Sequence, residues 1–448
     1  METGKKEILY LFGYTSIFKF IAYLLLLVLA NFYIKNEYGA FSFVYSLFNI
    51  SLVFILIGIP QTLTPWLIKK KEVSSIFYTI LIISLFIMSV GIILFLDYIW
   101  ILPLIFLLPL MVINGFSTSI LRSYYKYHIV KVLDIIVIII ALILAVILKN
   151  HGKAGIIIAY SVGYLISTIT SFYITRKDLI PIIKSFTLKL KNVKEYIKMG
   201  FITSLIALSA SFLTWLDSSI LGFLSTLKNV ADYQVSSSIA NIMIVIPLSL
   251  GAFLLTRVAK LNNEQESLAI LNRTTRISLF LVFLATILLN VFSRLIISIF
   301  FPAYKGIEIY IMILSIGIIF YSIYALAIVY LNARLTPHIS FTPIIIASLT
   351  NGVLDILLIP KYGIIGIACA TVFAHIIALI LFYSKIKNLG KFLPIVILTP
   401  LIPLSFYLGY YGLILIIVSI LLFFILKLIR LDDLLIIKQT ITKVFKAN

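Results

Sequence analysis

Few side chains in this sequence can do chemistry inside an apolar segment, and the types and places of those few are informative. Lys19 stands about ten residues from either end of an apolar run that begins after Lys6. Ser16, Lys19 and Tyr23 fall at i, i+3 and i+7, one face of a helix. An ionisable group at the centre of a membrane helix costs about 3 kcal/mol on insertion scales, so it is expected to face a cavity or a partner. An ammonium in an aqueous lumen suits an anionic phosphate. The competing reading is snorkelling to an interface, a long reach from mid-span. A second polar face runs Thr203, Ala207, Ala210, Thr214, Asp217, with Ser204, Ser211, Trp215 and Ser218 beside it. It reads either as a lumen wall, which Asp217 favours, or as a small-residue packing seam. Asn49 and Asn241 suit sugar hydroxyls and suit ties between helices equally well. Asn351 and Asp355 sit near the outer end of one apolar run, and Arg294 near the outer end of another. All three are candidates for a substrate site, although Arg294 reads first as an interfacial snorkel or ion-pair partner. Asp134 lies one turn from Lys131, which predicts a local pair. The histidines at 128, 151, 338 and 375 have no metal spacing. With no phosphate loop in the sequence, no cofactor is expected, and coupling to H+ or Na+ is the energy source that remains open.

These residues need elements to hold them. The chain has 448 residues, 62% of them hydrophobic and 12% charged, a balance that excludes an ordinary soluble domain. Apolar runs of about 20 residues match the hydrocarbon thickness and must be helical, since lipid offers the backbone no partner. Fourteen spans are predicted: 9–31, 40–66, 74–96, 98–120, 130–148, 154–174, 199–224, 231–256, 277–300, 307–331, 339–359, 363–384, 392–409 and 412–429. The first stays in the membrane as a helix; it is too long for a cleaved signal and lacks a small-residue cleavage site. With the N-terminus inside, the inner segments carry 28 Lys and Arg and the outer loops carry 6. That asymmetry predicts a multi-pass protein of the cytoplasmic membrane with both termini cytoplasmic. It also accounts for a net charge of +20 without nucleic acid, through basic loops near anionic lipid heads. The one cysteine, Cys369, lies inside an apolar run, so no disulfide is expected.

The chain repeats itself. "LKNHGKAGIII" (148–158) and "LIPKYGIIGIA" (358–368) both place Gly-x-x-Gly at the opening of an apolar helix, with Gly152 and Gly155 matching Gly363 and Gly366. "YSLFNI" (45–50) and "SSIANI" (237–242) are a second echo and pair Asn49 with Asn241. Each echo is six spans apart, and six is even. The expectation is an all-α integral membrane protein of about fourteen transmembrane helices: two six-helix bundles related by a parallel pseudo-two-fold, plus two C-terminal helices. The domains would be 1–174, a basic cytoplasmic linker 175–198, 199–384, and 385–448 with the two extra helices and a tail. A substrate site is expected where the repeats meet, with access alternating between sides. The glycines are read as turn formers and close-packing positions, with no chemistry of their own.

"NEYGAFSFVYSLFNI", "WLDSSILGFLSTLKNVADYQVSSSIANI" and "NGVLDILLIPKYGIIGIACAT" resemble the polysaccharide-export and oligosaccharide-flippase branch of the multidrug/oligosaccharidyl-lipid/polysaccharide exporter superfamily. The resemblance covers nearly the whole chain. It implies a fourteen-helix flippase that carries a polyprenyl- or dolichyl-linked oligosaccharide from the inner to the outer leaflet. The partners it implies are that lipid-linked oligosaccharide and membrane lipid, and a monomer is enough for the task. Two other classes compete. A cation-coupled multidrug antiporter would need an acidic, aromatic lumen, against which Lys19 argues. A membrane glycan polymerase or ligase would present a long outer loop, and no predicted outer loop exceeds about ten residues.

Overall fold

The structure is a computed structural model that describes residues 2–56, 59, 63–68, 72–185, 193, 194, 196, 215–430, 432 and 433; the side chains of 2–13, 15 and 16 fall outside the description. Among the described residues every regular element is helical. Ten helices there are long and apolar enough to cross a membrane. Pro337–Lys385 and Ile395–Ile425 each contain a glycine turn where the sequence predicts a boundary between two spans, and the spans expected at 9–31 and 199–224 are described only in part. The chain is an all-α multi-pass membrane protein.

By internal packing the chain divides into two compact units, Met1–Ala231 and Asp232–Asn448. The first holds α1 (Glu2–Phe32), α2 (Lys35–Leu56), the short α3 (Thr64–Ile68), α4 (Ser74–Leu94), α5 (Leu102–Ser123), α6 (Tyr127–Ile147), α7 (Gly152–Lys184) and α8 (Asp217–Leu224). Within it α7 packs along α5 and α6, α1 lies on α6, and α4 lies on α5. α9 (Leu227–Ala240) begins in this unit and runs past its edge. α4 is peripheral: only 22% of its apolar window is buried, and Phe86 and Ile93 point outward. Apolar side chains exposed along a helix this hydrophobic are what a lipid solvent selects.

The second unit holds α10 (Val245–Val258), α11 (Glu264–Phe300), α12 (Glu308–Ala333), the double helix α13 (Phe341–Lys385), α14 (Ile395–Leu398), α15 (Leu401–Leu408) and α16 (Ile414–Ile425). α12 is its centre, with 78% of its window buried, and it packs on α10, α11 and α13. α11 starts thirteen residues before the predicted span at 277. The Asn263 side chain accepts from the Gln265 amide at 2.9 Å, and Glu264 and Glu266 fill the first turn, where the helix dipole favours acid. A search for apolar runs misses this because the added turns are amphipathic and capped rather than apolar.

The echoed glycines share one backbone conformation. Gly152 has φ 56° and ψ −141°, and Gly363 has φ 55° and ψ −129°. A side chain strongly disfavours that region, so glycine is required. Gly409 repeats it at φ 54° and ψ −131°, and it too opens a Gly-x-x-Gly, with Gly412. The second glycine of each set lies against a backbone carbonyl of the preceding helix: Gly155 on Leu148, Gly366 on Leu358, Gly412 on Ser405. One glycine thus reverses the chain and the next lets the helix close onto its predecessor. The third hairpin was equally readable in "GYYG" and is absent from the sequence reading above.

Candidate functional site

The first unit carries half-buried polar and aromatic groups. In α1 at about 100° per residue, Ile17, Phe20 and Leu24 form an exposed apolar stripe. Lys19 is half-buried and lies about 130° round the helix from that stripe, on the side of the buried Leu26 and Ala30. It therefore does not project with the residues that meet lipid. Tyr23, one turn on, is also half-buried. Ser16 lies on the same helix, but its side chain is outside the described residues, as is Thr214 altogether.

A cluster that the sequence reading did not assemble lies on α2, α7 and the turn before α8. The Tyr45 and Tyr164 hydroxyls are 2.9 Å apart. The Tyr45 ring is 5.0 Å from Tyr160 and 5.5 Å from Trp215, edge-on to the latter. Phe41 and Phe48 back the group through Tyr160 and Tyr164. Tyr45, Tyr160, Tyr164 and Trp215 are all half-buried. Asn49 joins them by donating its amide N–H to the Tyr45 carbonyl at 2.8 Å. Asn114 on α5 donates to Thr168 Oγ1 at 3.3 Å, and Thr168 donates to the Tyr164 carbonyl at 2.8 Å. The signal for this cluster was present: Tyr160 and Tyr164 stand at i, i+4, and so do Tyr45 and Asn49.

Asp217 is 2% exposed at the first turn of α8, followed by the buried Ser218 and Ser219. Ser219 Oγ is 2.7 Å from Ser46 Oγ, a bond that pins α8 to α2 beside the aromatic cluster. Gly222 allows the close approach, since a side chain there would strike the Phe43 ring. The polar segment around Asp217 is thus buried in a helix contact, whereas the tyrosines beside it are accessible. In the turn after α1, Tyr33 donates to the Ala145 carbonyl at 2.6 Å, and burial together with the nearby Glu37 carboxylate pushes its pKa up to about 12.

The second unit buries its polar groups in pairs. Asn351 and Asp355 are 1% and 0% exposed, and the Asn351 amide donates to Asp355 Oδ2 at 3.2 Å. Asn290 donates to Ser315 Oγ at 3.0 Å, linking α11 to α12. Tyr324 and His375 Nδ1 are 2.7 Å apart, linking α12 to α13. Arg294 is exposed, and its guanidinium lies 5.1 Å from the Phe406 ring, a cation–π contact. Asn241 is exposed at the head of a tight turn, Asn241–Ile244, so it does not share the regular helical setting of Asn49. Lys131 and Asp134 form the local pair that their spacing predicts, at 3.0 Å. Among the described residues no three His, Cys, Asp or Glu come together as a metal site.

Two helical units built this way define a class, the two-bundle all-α transporter fold. A lipid II flippase, MurJ, in an inward closed conformation superposes with a TM-score of 0.77 at 19% identity, over 95% of this chain and 99% of its own. An inward-facing multidrug-resistance transporter of the MATE family and the MOP superfamily gives 0.62 at 13% identity, over 82% and 93%. At these identities the likeness is one of fold. Residues 5–259, more than half of the chain, match the family described as polysaccharide biosynthesis protein, and the chain belongs to that family. A membrane protein of Methanocaldococcus jannaschii, MJ1068, is 33% identical over 187 residues, 41% of this chain and 36% of that protein. A probable low-salt glycan biosynthesis flippase of Haloferax volcanii, Agl15, is 24% identical over 185 residues, 40% of this chain and 39% of that protein. The matched stretch thus spans well under half the length of either curated relative.

Proposed function

We propose that this chain moves a lipid-linked oligosaccharide, a glycan on a polyprenyl or dolichyl (pyro)phosphate, from the cytoplasmic to the outer leaflet by alternating access, for a surface polysaccharide or a glycoprotein. The observation that carries the reading is the set of polar groups that the first unit holds. One bundle holds a mid-helix ammonium turned away from lipid and a half-buried group of Tyr45, Tyr160, Tyr164, Trp215 and Asn49. An ammonium offsets the phosphate charge, aromatic faces pack on the C–H faces of sugar rings, and hydroxyls and an amide meet sugar hydroxyls. Family membership supports a role in polysaccharide biosynthesis, and the flippases among its relatives support the step. The chain works as a transporter, not an enzyme, as a monomer in the cytoplasmic membrane with both termini inside. An H+ or Na+ gradient drives it through the buried Asn351–Asp355 pair, where a carboxylate held away from water takes a proton or cation only as its surroundings open.

The test is glycan export in cells that depend on this chain, scored beside its membrane abundance. Lys19→Ala should abolish export at normal abundance, and Lys19→Arg should keep part of it, since guanidinium also pairs phosphate with a different reach. Asp355→Asn should leave residual export indifferent to collapse of the H+ or Na+ gradient. Normal export by Lys19→Ala removes the phosphate role. Normal export in cells lacking the chain removes the flippase reading.

A further inference from the structure

The first unit contains an apolar groove of about 510 Å³ that the glycan-handling residues do not line, apart from Phe48 at its edge. Its walls are α2, from Ala40 to Ser51, the end of α4, and the start of α5. The eleven helical rises from Ala40 to Ser51 make it about 16 Å long at 1.5 Å per residue. It opens beside Val90 and Leu94, 38% and 69% exposed, on the same peripheral helix that shows Phe86 and Ile93 to lipid. A bilayer-facing opening gives a hydrocarbon chain a lateral way in.

The two ends differ. At the inner end the polar lining is Ser51. At the other end Tyr98, Trp100 and Lys153 come together, with the Lys153 ammonium 4.4 Å over the Trp100 ring. Tryptophan and tyrosine are favoured at the membrane interface, and the lysine bias of the loops assigns this end to the outer surface. Lys153 is half-exposed, and among the described residues no carboxylate pairs with it. Held by an aromatic face instead of an acid, its charge stays available to an anion.

One groove with one cation at its mouth matches a lipid phosphate whose charge is a single phosphate group. We infer that this groove seats the first isoprene units of a polyprenyl phosphate carrier in the outer half of the membrane, with its phosphate on Lys153. The inference rests on the flippase reading and adds a second station to it: the lipid end of the substrate is held away from Lys19 while the glycan end is handled by the tyrosine cluster. Gly91, whose Cβ position would lie 3.3 Å from Ile105, keeps the groove open between α4 and α5.

The test uses the full chain in vesicles and a polyprenyl phosphate carrying a photoreactive group near its head. The label should map to α4 and the 98–101 turn. Lys153→Ala should weaken labelling about tenfold or more, the size of one charge-assisted contact. Val90→Trp should block the groove from its open side, where an added ring meets lipid and leaves the core untouched. Excess inorganic phosphate should compete weakly, and phosphatidylglycerol no better than phosphatidylcholine. No labelling of α4 and the 98–101 turn, labelling there that survives both groove variants, or competition by phosphatidylglycerol equal to that by unlabelled polyprenyl phosphate would overturn the inference. The export result for Lys19 stands apart from all of these, so the groove can fail while the flippase reading holds.

Discussion

Gly363→Ala isolates one physical effect. The residue has φ 55° and ψ −129°, and a Cβ added there meets nothing within 4 Å. Sterics with neighbours drop out, and what remains is the strain of an L-residue in a backbone region reserved for glycine, about 1–3 kcal/mol. In a reversible denaturation of the full chain in mixed micelles, the unfolding constant should rise by a factor of roughly 5 to 150. Gly363→Asn should fare no better, because asparagine relieves the ordinary left-handed region, where ψ is positive, and not this one. Gly366→Ala tests the other half of the motif: its Cβ would sit 2.6 Å from the Leu358 carbonyl oxygen, an overpacking cost of about 1–3 kcal/mol. Gly251→Ala is the control, since its Cβ would face only side chains at 3.3 Å or more and alanine gains helix propensity of up to about 1 kcal/mol. Equal stability of Gly363→Ala and the parent chain would refute the claim that the turn needs this conformation.

Two further outcomes follow from the charges. Asp433 is 1% exposed and takes both Arg276 nitrogens at 2.8 and 3.1 Å, with Arg273 at 3.2 Å, so Asp433→Ala should cost about 3–5 kcal/mol in the same denaturation by leaving Arg276 without its carboxylate. Reporter fusions at Lys149 and Lys361 should read external and fusions at Lys70 and Lys191 internal; one reversed sign would break the fourteen-span topology.

The helical membrane architecture was legible because lipid imposes it: apolar runs and glycine turns are written locally. Where the reading fell short, the missing information was either amphipathic or three-dimensional. The first turns of α11 are polar and capped, so a search for apolar runs passes over them. The pair Asn351 and Asp355 was visible at i, i+4, but its complete burial was not. Tyr45 was quoted within a repeat without its partners, since Tyr164 stands 119 positions away. Asn241 was chosen through the repeat that pairs it with Asn49, and Arg294 for its place near a span end; the structure exposes the first at a turn and sets the second on Phe406.

Burial separates the polar groups into two kinds with different capacities. A hydroxyl or amide that is half-buried, as at Tyr45, Tyr164 and Asn49, can exchange a water for a sugar hydroxyl at little net cost. A polar pair with almost no accessible surface, as at Asn351 and Asp355 or at Tyr324 and His375, has already given up its water, and a new ligand reaches it only if the surrounding helices part. The first kind suits a bulky, weakly held glycan that must be released on the far side. The second suits a small ion whose arrival is tied to movement of helices. Both kinds occur in the chain: the accessible groups named here lie in the first unit, and sealed pairs lie in both, Ser46 with Ser219 in the first and Asn351 with Asp355 in the second. A transporter that spends an ion gradient on a large cargo needs that division, because a site open enough for the glycan would leak the ion.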